Sequence, residues 1–370
     1  MKDTWKQELR LLYDSKAQSQ NGKRITYLDM TRGIAILLVV YGHSEFIGPA
    51  CNIWLSSFHL PAFFVLSGIL MQLKSEDRLA LPDILLRKLK GIMLPYLWFS
   101  LGSLGLDFIQ VLRENFTWDI LWEHVIQTVS LQGYSVLWFL PVIFFAEVMI
   151  VVVFKACNGL ERSGRYGLVM VTASITCLAL GAYYGYQRLL DSAMPVMCLY
   201  MLRILVKALI GAAFMSYGYV FGYVQSRIAG KTGSWYMVVV GIALCGVNIM
   251  ISPYIRLMDF NQLILWNPLV YLGLGTTGSF GCILICKCLP NIPILTFLGQ
   301  NSLIIMCTHL NFYILHIGMV LCRNLLSVLS VTGRIPYVAG SLICAMILSI
   351  PVILFIRICF PFVLGRRYPR

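Results

Sequence analysis

The chain has 370 residues, of which 59% are hydrophobic and only 12% are charged, and its mean hydropathy is +0.78. A soluble domain carries about twice that charged fraction, so the composition excludes a soluble globular protein and points to repeated membrane crossings. The formal net charge of +13 does not argue for nucleic acid, because the cations sit between apolar runs, where they set topology.

The first 24 residues mix Lys2, Lys6, Arg10, Lys16, Lys23 and Arg24 with Asp3, Glu8 and Asp14, and hold no apolar run of the kind a secretory signal needs. Ten apolar stretches of roughly membrane-spanning length follow: 30–48, 53–73, 91–112, 135–155, 167–187, 200–224, 235–252, 267–286, 298–322 and 336–360. The sequence therefore predicts an all-α polytopic membrane helical bundle of about ten transmembrane helices. A segment 1–26 precedes the embedded domain at 27–362, and a tail at 363–370 follows. With the N-terminus inside, twenty Lys and Arg fall in inside segments and five in outside ones, which predicts two cytoplasmic termini. The longest outside segment runs from Arg113 to Tyr134 and contains Trp118, Trp122, Glu123 and His124, either interfacial anchors or a sugar-binding surface. Twelve cysteines lie scattered, mostly within apolar segments, where they act as small apolar side chains and imply no disulfide scaffold.

The candidate chemistry lies along these stretches. The first contains YLDMTRGIAILLVVYGHSEF (27–46), with Arg32 and His43 eleven residues apart. Eleven residues are close to three helical turns, so the two share one face about 16 Å apart along the axis. A cation and an imidazole within an apolar helix mark function. A neutral imidazole takes a proton from a hydroxyl near pH 7, and Glu45, two residues on, either orients it or reaches the outer interface. Asp29 stands three residues before Arg32, as a local ion-pair partner, or Arg32 meets an anionic ligand from the cytoplasm.

The second stretch reads FHLPAFFVLSGIL (58–70), offering His59 and the small pair Ser67 and Gly68, which lets a helix or a thin ligand approach the backbone. LLRKLKGIMLPY (85–96) carries Arg87, Lys88 and Lys90, either ordinary positive-inside flanks or a phosphate-binding cluster. LWFLPVIFFAEV (137–148) holds Trp138 and Glu147, a buried acid that needs a partner. FLGQNSLIIMCTH (297–309) sets Asn301, Ser302 and His309 near one face. Such groups bond helix to helix, at about 0.6 kcal/mol each, or touch a ligand. Asn301, Ser302 and Ser67 are candidate donors to a developing oxyanion. Asp107, Arg203 and His316 are also intramembrane and receive no role.

Together these segments resemble the acyltransferase-3 family of integral-membrane O-acyltransferases, especially its fucose and polysaccharide O-acetylase-like branch. The resemblance rests on the text at 24–43 with Arg32 and His43 in an Arg-x10-His arrangement, FHLPAFFVLSG at 58–68, RKLKGIMLPY at 87–96, LWFLP at 137–141 and LGQNSLIIMCTH at 298–309. It implies about ten spans around the site and a cytoplasmic acyl-CoA donor, acetyl-CoA in this branch, with no metal. It implies that His43 is the essential histidine, with Arg32 its partner; Asp29 and Glu45 join the candidate catalytic set by their local spacing. Arg87 and Lys90 match a pair that often reads Arg-x-x-Arg; Lys90 departs from it. Donor contacts would come from Arg32, Arg87, Lys88, Lys90, Ser67 and Gly68. Acceptor contacts would come from His59, Trp138, Glu147, Asn301, Ser302 and His309. The acceptor would be a cell-envelope sugar or lipid-linked glycan, the setting a bacterial plasma (inner) membrane with its lipid, and nucleic acid no partner. Direct transfer and an acetyl-histidine relay both stay open. The competing class is a transporter or flippase of lipid-linked sugars, which repeated halves and matching broken helices would mark; the sequence displays neither.

Overall fold

The computed structural model describes residues 25–45, 47–76, 79–157, 165–228 and 234–365. The expected N-terminal segment up to residue 24 and the tail from residue 366 lie outside the described residues. Among the described residues the fold is helical without strands; an isolated bridge joins Asp259 to Ile264.

The helices are α1 (Thr26–Gly42), α2 (Pro49–Leu73), α3 (Leu81–Leu112, with a π-helical turn at Leu89–Met93), α4 (Trp118–Val129), α5 (Ser135–Ala156), α6 (Arg165–Leu189) and α7 (Val196–Ile228). They continue as α8 (Ser234–Ile251), α9 (Pro268–Cys288), α10 (Pro293–Gln300), α11 (Ser302–Thr308), α12 (Ile314–Val328) and α13 (Arg334–Cys359). Eight of them, α2, α3, α5, α6, α7, α8, α9 and α13, are long and apolar enough to cross a membrane. The protein is an all-α, multi-pass membrane bundle.

Two expected spans take a different form. The first, expected at 30–48, is the 17-residue α1. It stops at Gly42 because the next amides turn back early, His43 N–H to the Val40 carbonyl and Ser44 N–H to Tyr41, with the Ser44 hydroxyl also donating to Tyr41. The ninth, expected as one span at 298–322, is three helices, α10, α11 and α12. Side chains that bond locally to the backbone break it. Asn301 Nδ2 donates to the Phe297 carbonyl at the first junction. At the second, His309 Nδ1 bonds the Ile305 and Met306 carbonyls, and Tyr313 adopts a left-handed φ of 57°. A third difference lies in the outside segment 113–134, which contains α4 rather than running as a loop throughout. Thr117 caps it by accepting the Ile120 N–H, His124 bonds Asp107 at 2.9 Å and stacks on Tyr134, and Trp118 and Trp122 stay exposed.

At the centre, α2 packs against α7, α9 and α1. The approach is close enough that a Cβ on Gly68 would run into the Met215 carbonyl of α7, so helix-on-helix packing accounts for the small residue at this position. The α10–α1 contact is equally tight, with a Cβ on Gly299 meeting the Asp29 carbonyl. Phe64, Phe139, Phe214, Phe260 and Tyr271 interlock across these helices at centroid separations of 5.2–5.9 Å. Aromatic packing of this kind is the strongest apolar filling available to a core. It forms the floor on which the cavities rest.

Candidate active site

Two cavities open from the bundle interior. The first has a volume of about 340 Å³ and is lined by Asp29 and Arg32 from α1, Ser67 and Lys74 at the end of α2, Glu147 from α5, Gln300 from α10 and Ser302 from α11. The second, of about 420 Å³, is lined by His43, by Asn52, Ser56 and His59 from α2, by Ser135 and Trp138 from α5, and by Asp259 and Asn261 from the 255–267 connection. Phe139 and Met306 belong to both walls. Arg32, in the second turn of α1, thus lines the first cavity, and His43, just past its end, lines the second.

The first cavity is charged. Arg32 lies 3.8 Å from Asp29, the local pair the spacing allowed, and Gln300 donates to the other Asp29 oxygen at 3.4 Å. Glu147 finds the partner its burial requires in Lys88, 2.9 Å away. Lys88 also lies 2.8 Å from Glu76, and Arg87 stands 3.5 Å from the same carboxylate. Burial by itself would raise the Glu76 carboxyl, but Lys88, backed by Lys74 and Arg87, outweighs burial and holds it below the usual carboxylate range. Arg87, Lys88 and Lys90 line neither cavity, Lys90 being exposed on the π-helical turn. The cation that does join Arg32 in the wall is Lys74, which the sequence reading passed over.

The second cavity is built on histidines. His43 is exposed into it just past the end of α1. Its ring sits 5.3 Å, centroid to centroid, from that of His309, tilted by 41°. His309 is fully buried. Carbonyls only accept, so the bonds to Ile305 at 2.9 Å and Met306 at 3.0 Å put the proton on Nδ1, leaving Nε2 a lone pair without a hydrogen-bond partner. His59 is fixed likewise by the Leu55 carbonyl. Trp138, largely buried, carries the Lys207 ammonium 4.7 Å above its ring.

Other expected site residues lie elsewhere. Glu45 is exposed and lines neither cavity. Asn301 is buried, accepts from Arg357 at 3.1 Å and faces a separate cavity of about 100 Å³. Gly68 is occupied in helix packing. Asp259 was missed; the one acid in the connection between α8 and α9, in the text RLMDFNQL (256–263), was the available signal. Among the described residues no group of His, Cys, Asp or Glu forms a metal ligand set.

A multi-pass bundle with an imidazole and hydroxyl-lined cavity backing onto a charged one is the layout of an enzyme working within the membrane. A family model described as an acyltransferase domain matches residues 25–354. The chain belongs to this acyltransferase-3 family and is a membrane acyltransferase, transferring groups other than aminoacyl groups. No curated protein and no solved structure matches the chain.

Proposed function

We propose that the protein moves an acetyl group from cytoplasmic acetyl-CoA to a hydroxyl of a cell-envelope sugar or lipid-linked glycan, with His43 as general base. One observation carries this reading: Arg32 on α1 and His43 just past its end line two different cavities that share Phe139 and Met306. The donor is an anionic nucleotide on a long thin arm that ends in a thioester. Its charged part suits the first cavity, where Arg32 and Lys74 supply cations suited to phosphate, with Arg87 and Lys90 at the exposed approach. The twenty-to-five bias of Lys and Arg turns this end to the cytoplasm. The arm then runs toward the shared wall, with Ser67 and Ser302 as hydroxyl donors along the way. The acceptor suits the second cavity, where Trp138 offers an apolar face and Asn52, Ser56 and Asn261 offer polar groups, the mixture by which a pocket orients a polyol.

In this mechanism His43 takes the proton of the sugar hydroxyl as that oxygen forms a bond to the thioester carbon. The tetrahedral intermediate collapses, the carbon–sulfur bond breaks, and the departing thiolate receives the proton back from His43. Ester and free CoA thiol are the products. His309, buried behind His43, and His59, in the same wall, keep the base within a fixed frame.

The test is transfer of radiolabelled acetyl from acetyl-CoA to envelope glycan, in membranes holding equal amounts of wild type or His43→Ala. Label incorporated by wild type and lost in the variant is expected. Equal incorporation by both removes His43 as the base. Movement of lipid-linked sugar by wild type without any dependence on acyl-CoA favours a transporter instead.

A further inference from the structure

A neutral imidazole that takes a proton becomes a cation. In a cavity walled by protein, that cation needs a negative neighbour, because charge developing in a low dielectric is stabilised by charges already fixed in place. The groups around His43 come from several elements. From α2 comes His59, and from the end of α11 comes His309, each bonded through Nδ1–H to a backbone carbonyl and neither able to supply negative charge. From α13 comes Arg334, beside Gly48 and Tyr41, a cation. Glu45, the acid nearest in sequence, is not among the cavity residues. Asp259, from the 255–267 connection, is the one carboxylate among the residues that line the cavity with His43.

Asp259 is also held. Its Oδ1 accepts the Gln262 N–H at 2.9 Å, and its backbone exchanges two 2.9 Å bonds with Ile264, closing a tight turn. Four side chains from neighbouring helices fasten that turn: Gln187 donates to the Leu263 carbonyl at 2.9 Å, Tyr183 to the Leu265 carbonyl at 3.0 Å, Arg203 to the Asn261 carbonyl at 2.8 Å and Lys207 to Asn261 Oδ1 at 2.9 Å. Phe260 is buried between, against Trp138 and Tyr271. A connection with so many anchors is a scaffold for a side chain rather than a simple link between α8 and α9.

We propose that Asp259, the one carboxylate in the cavity with His43, is its counter-charge: it stabilises through space the imidazolium that forms. The acid partner thus comes from a distant connection that roofs the cavity, and Glu45 has no part in it. This rests on His43 being the base.

The discriminating variant is Asp259→Asn, which keeps an Oδ1 acceptor for Gln262 and nearly the same volume while removing the charge. In the acetyl-transfer assay the plateau rate should fall by about tenfold or more, within the range that general base catalysis contributes. The acid limb of the rate–pH profile should move to lower pH, because a lost negative neighbour disfavours the imidazolium. The KM for acetyl-CoA should hold. Asp259→Glu, with its charge displaced by one methylene, should keep the limb and lower the plateau. A merely structural role for Asp259 lowers the plateau of Asp259→Asn without moving its limb, and that result overturns the proposal. So does a wild-type rate and limb in Asp259→Asn while His43→Ala is inactive. An active His43→Ala sinks the general-base reading itself, a distinguishable failure. Should Asp259→Asn not be recovered folded, Asp259→Ser takes its place, since its hydroxyl can still accept the Gln262 N–H: a limb moved to lower pH supports the proposal, and an unmoved limb overturns it.

Discussion

Lys88 separates two accounts of the basic cluster. As a phosphate ligand it would set the affinity for the donor. In the structure its ammonium lies 2.8 Å from Glu76 and 2.9 Å from Glu147, and both carboxylates are only 8% exposed. Lys88→Met keeps the stem and removes the charge, leaving the buried Glu147 without its ion-pair partner and Glu76 with Arg87 and Lys74. At an effective dielectric of about 20, each contact at this distance amounts to roughly 6 kcal/mol of attraction before desolvation. Removing one partner of a buried pair typically costs about 3–5 kcal/mol net. Spread over 370 residues, with an unfolding entropy of about 2.1 cal/mol/K per residue, that is a fall in Tm of roughly 4–6 °C. The assay is thermal unfolding of the detergent-solubilised protein by tryptophan fluorescence, run beside the KM for acetyl-CoA. Adding Glu76→Gln and Glu147→Gln to Lys88→Met should restore most of the loss, since neutral groups need no counter-ion.

The acid side gives a further check on the same variant. The Glu76 carboxyl is held below its ordinary value, so its pairing stabilises the fold above the unfolded carboxylate pKa of about 4.3 and loses that contribution as pH falls through the folded value. The gap in Tm between wild type and Lys88→Met should be widest near neutrality and close progressively below about pH 4. An unchanged Tm at neutral pH, together with a KM for acetyl-CoA raised severalfold, would refute the ion-clamp account and return Lys88 to the donor site.

Two further substitutions probe the packing and the shared wall. Gly68→Ala should lower stability by about 1–3 kcal/mol, as overpacking does, because its Cβ meets the Met215 carbonyl; unfolding in detergent measures it, and a Tm equal to wild type means that α2 and α7 can separate freely. Met306→Trp fills the shared wall of the two cavities and should reduce acetyl transfer at least about tenfold, a barrier increase near 1.4 kcal/mol. Donor affinity, measured by calorimetric titration with acetyl-CoA, should be retained. Undiminished transfer would show that donor and acceptor meet by another route.

What the sequence disclosed follows from what apolar composition encodes. Long uninterrupted runs such as 53–73 and 336–360 read directly as crossing helices, because lipid requires every backbone group to be paired within the helix. The spacing of Arg32 and His43 reads as about three helical turns on one face, but the helix ends at Gly42, and the two line different cavities. Contacts between distant segments were not legible. Nothing near Lys88 in sequence announces Glu147, 59 positions on, and nothing near His43 announces Asp259. Lys74 escaped notice because a cation at the end of α2 looks like any topological flank until the cavity wall is assembled. Asn301 reads as a ligand group by residue type, yet its amide bonds the Phe297 carbonyl and the Arg357 guanidinium, partners set by packing.

The breaks were the hardest to foresee, and they are where the second cavity is made. His43 stands just past the end of α1, His309 at the interruption between α11 and α12, and Asp259 in the turn between α8 and α9. Hydropathy passes through the first two without a mark, because LLVVYGH and IIMCTHL are as apolar as the spans around them. Irregular backbone at membrane depth is tolerated where protein or a cavity can satisfy it, and each of these breaks has its compensation: the early turn at Val40, the carbonyl bonds of His309, the anchored hairpin of Asp259. Ending or interrupting the helices brings the His43 imidazole and the Asp259 carboxylate into one cavity, with the His309 ring 5.3 Å from that of His43.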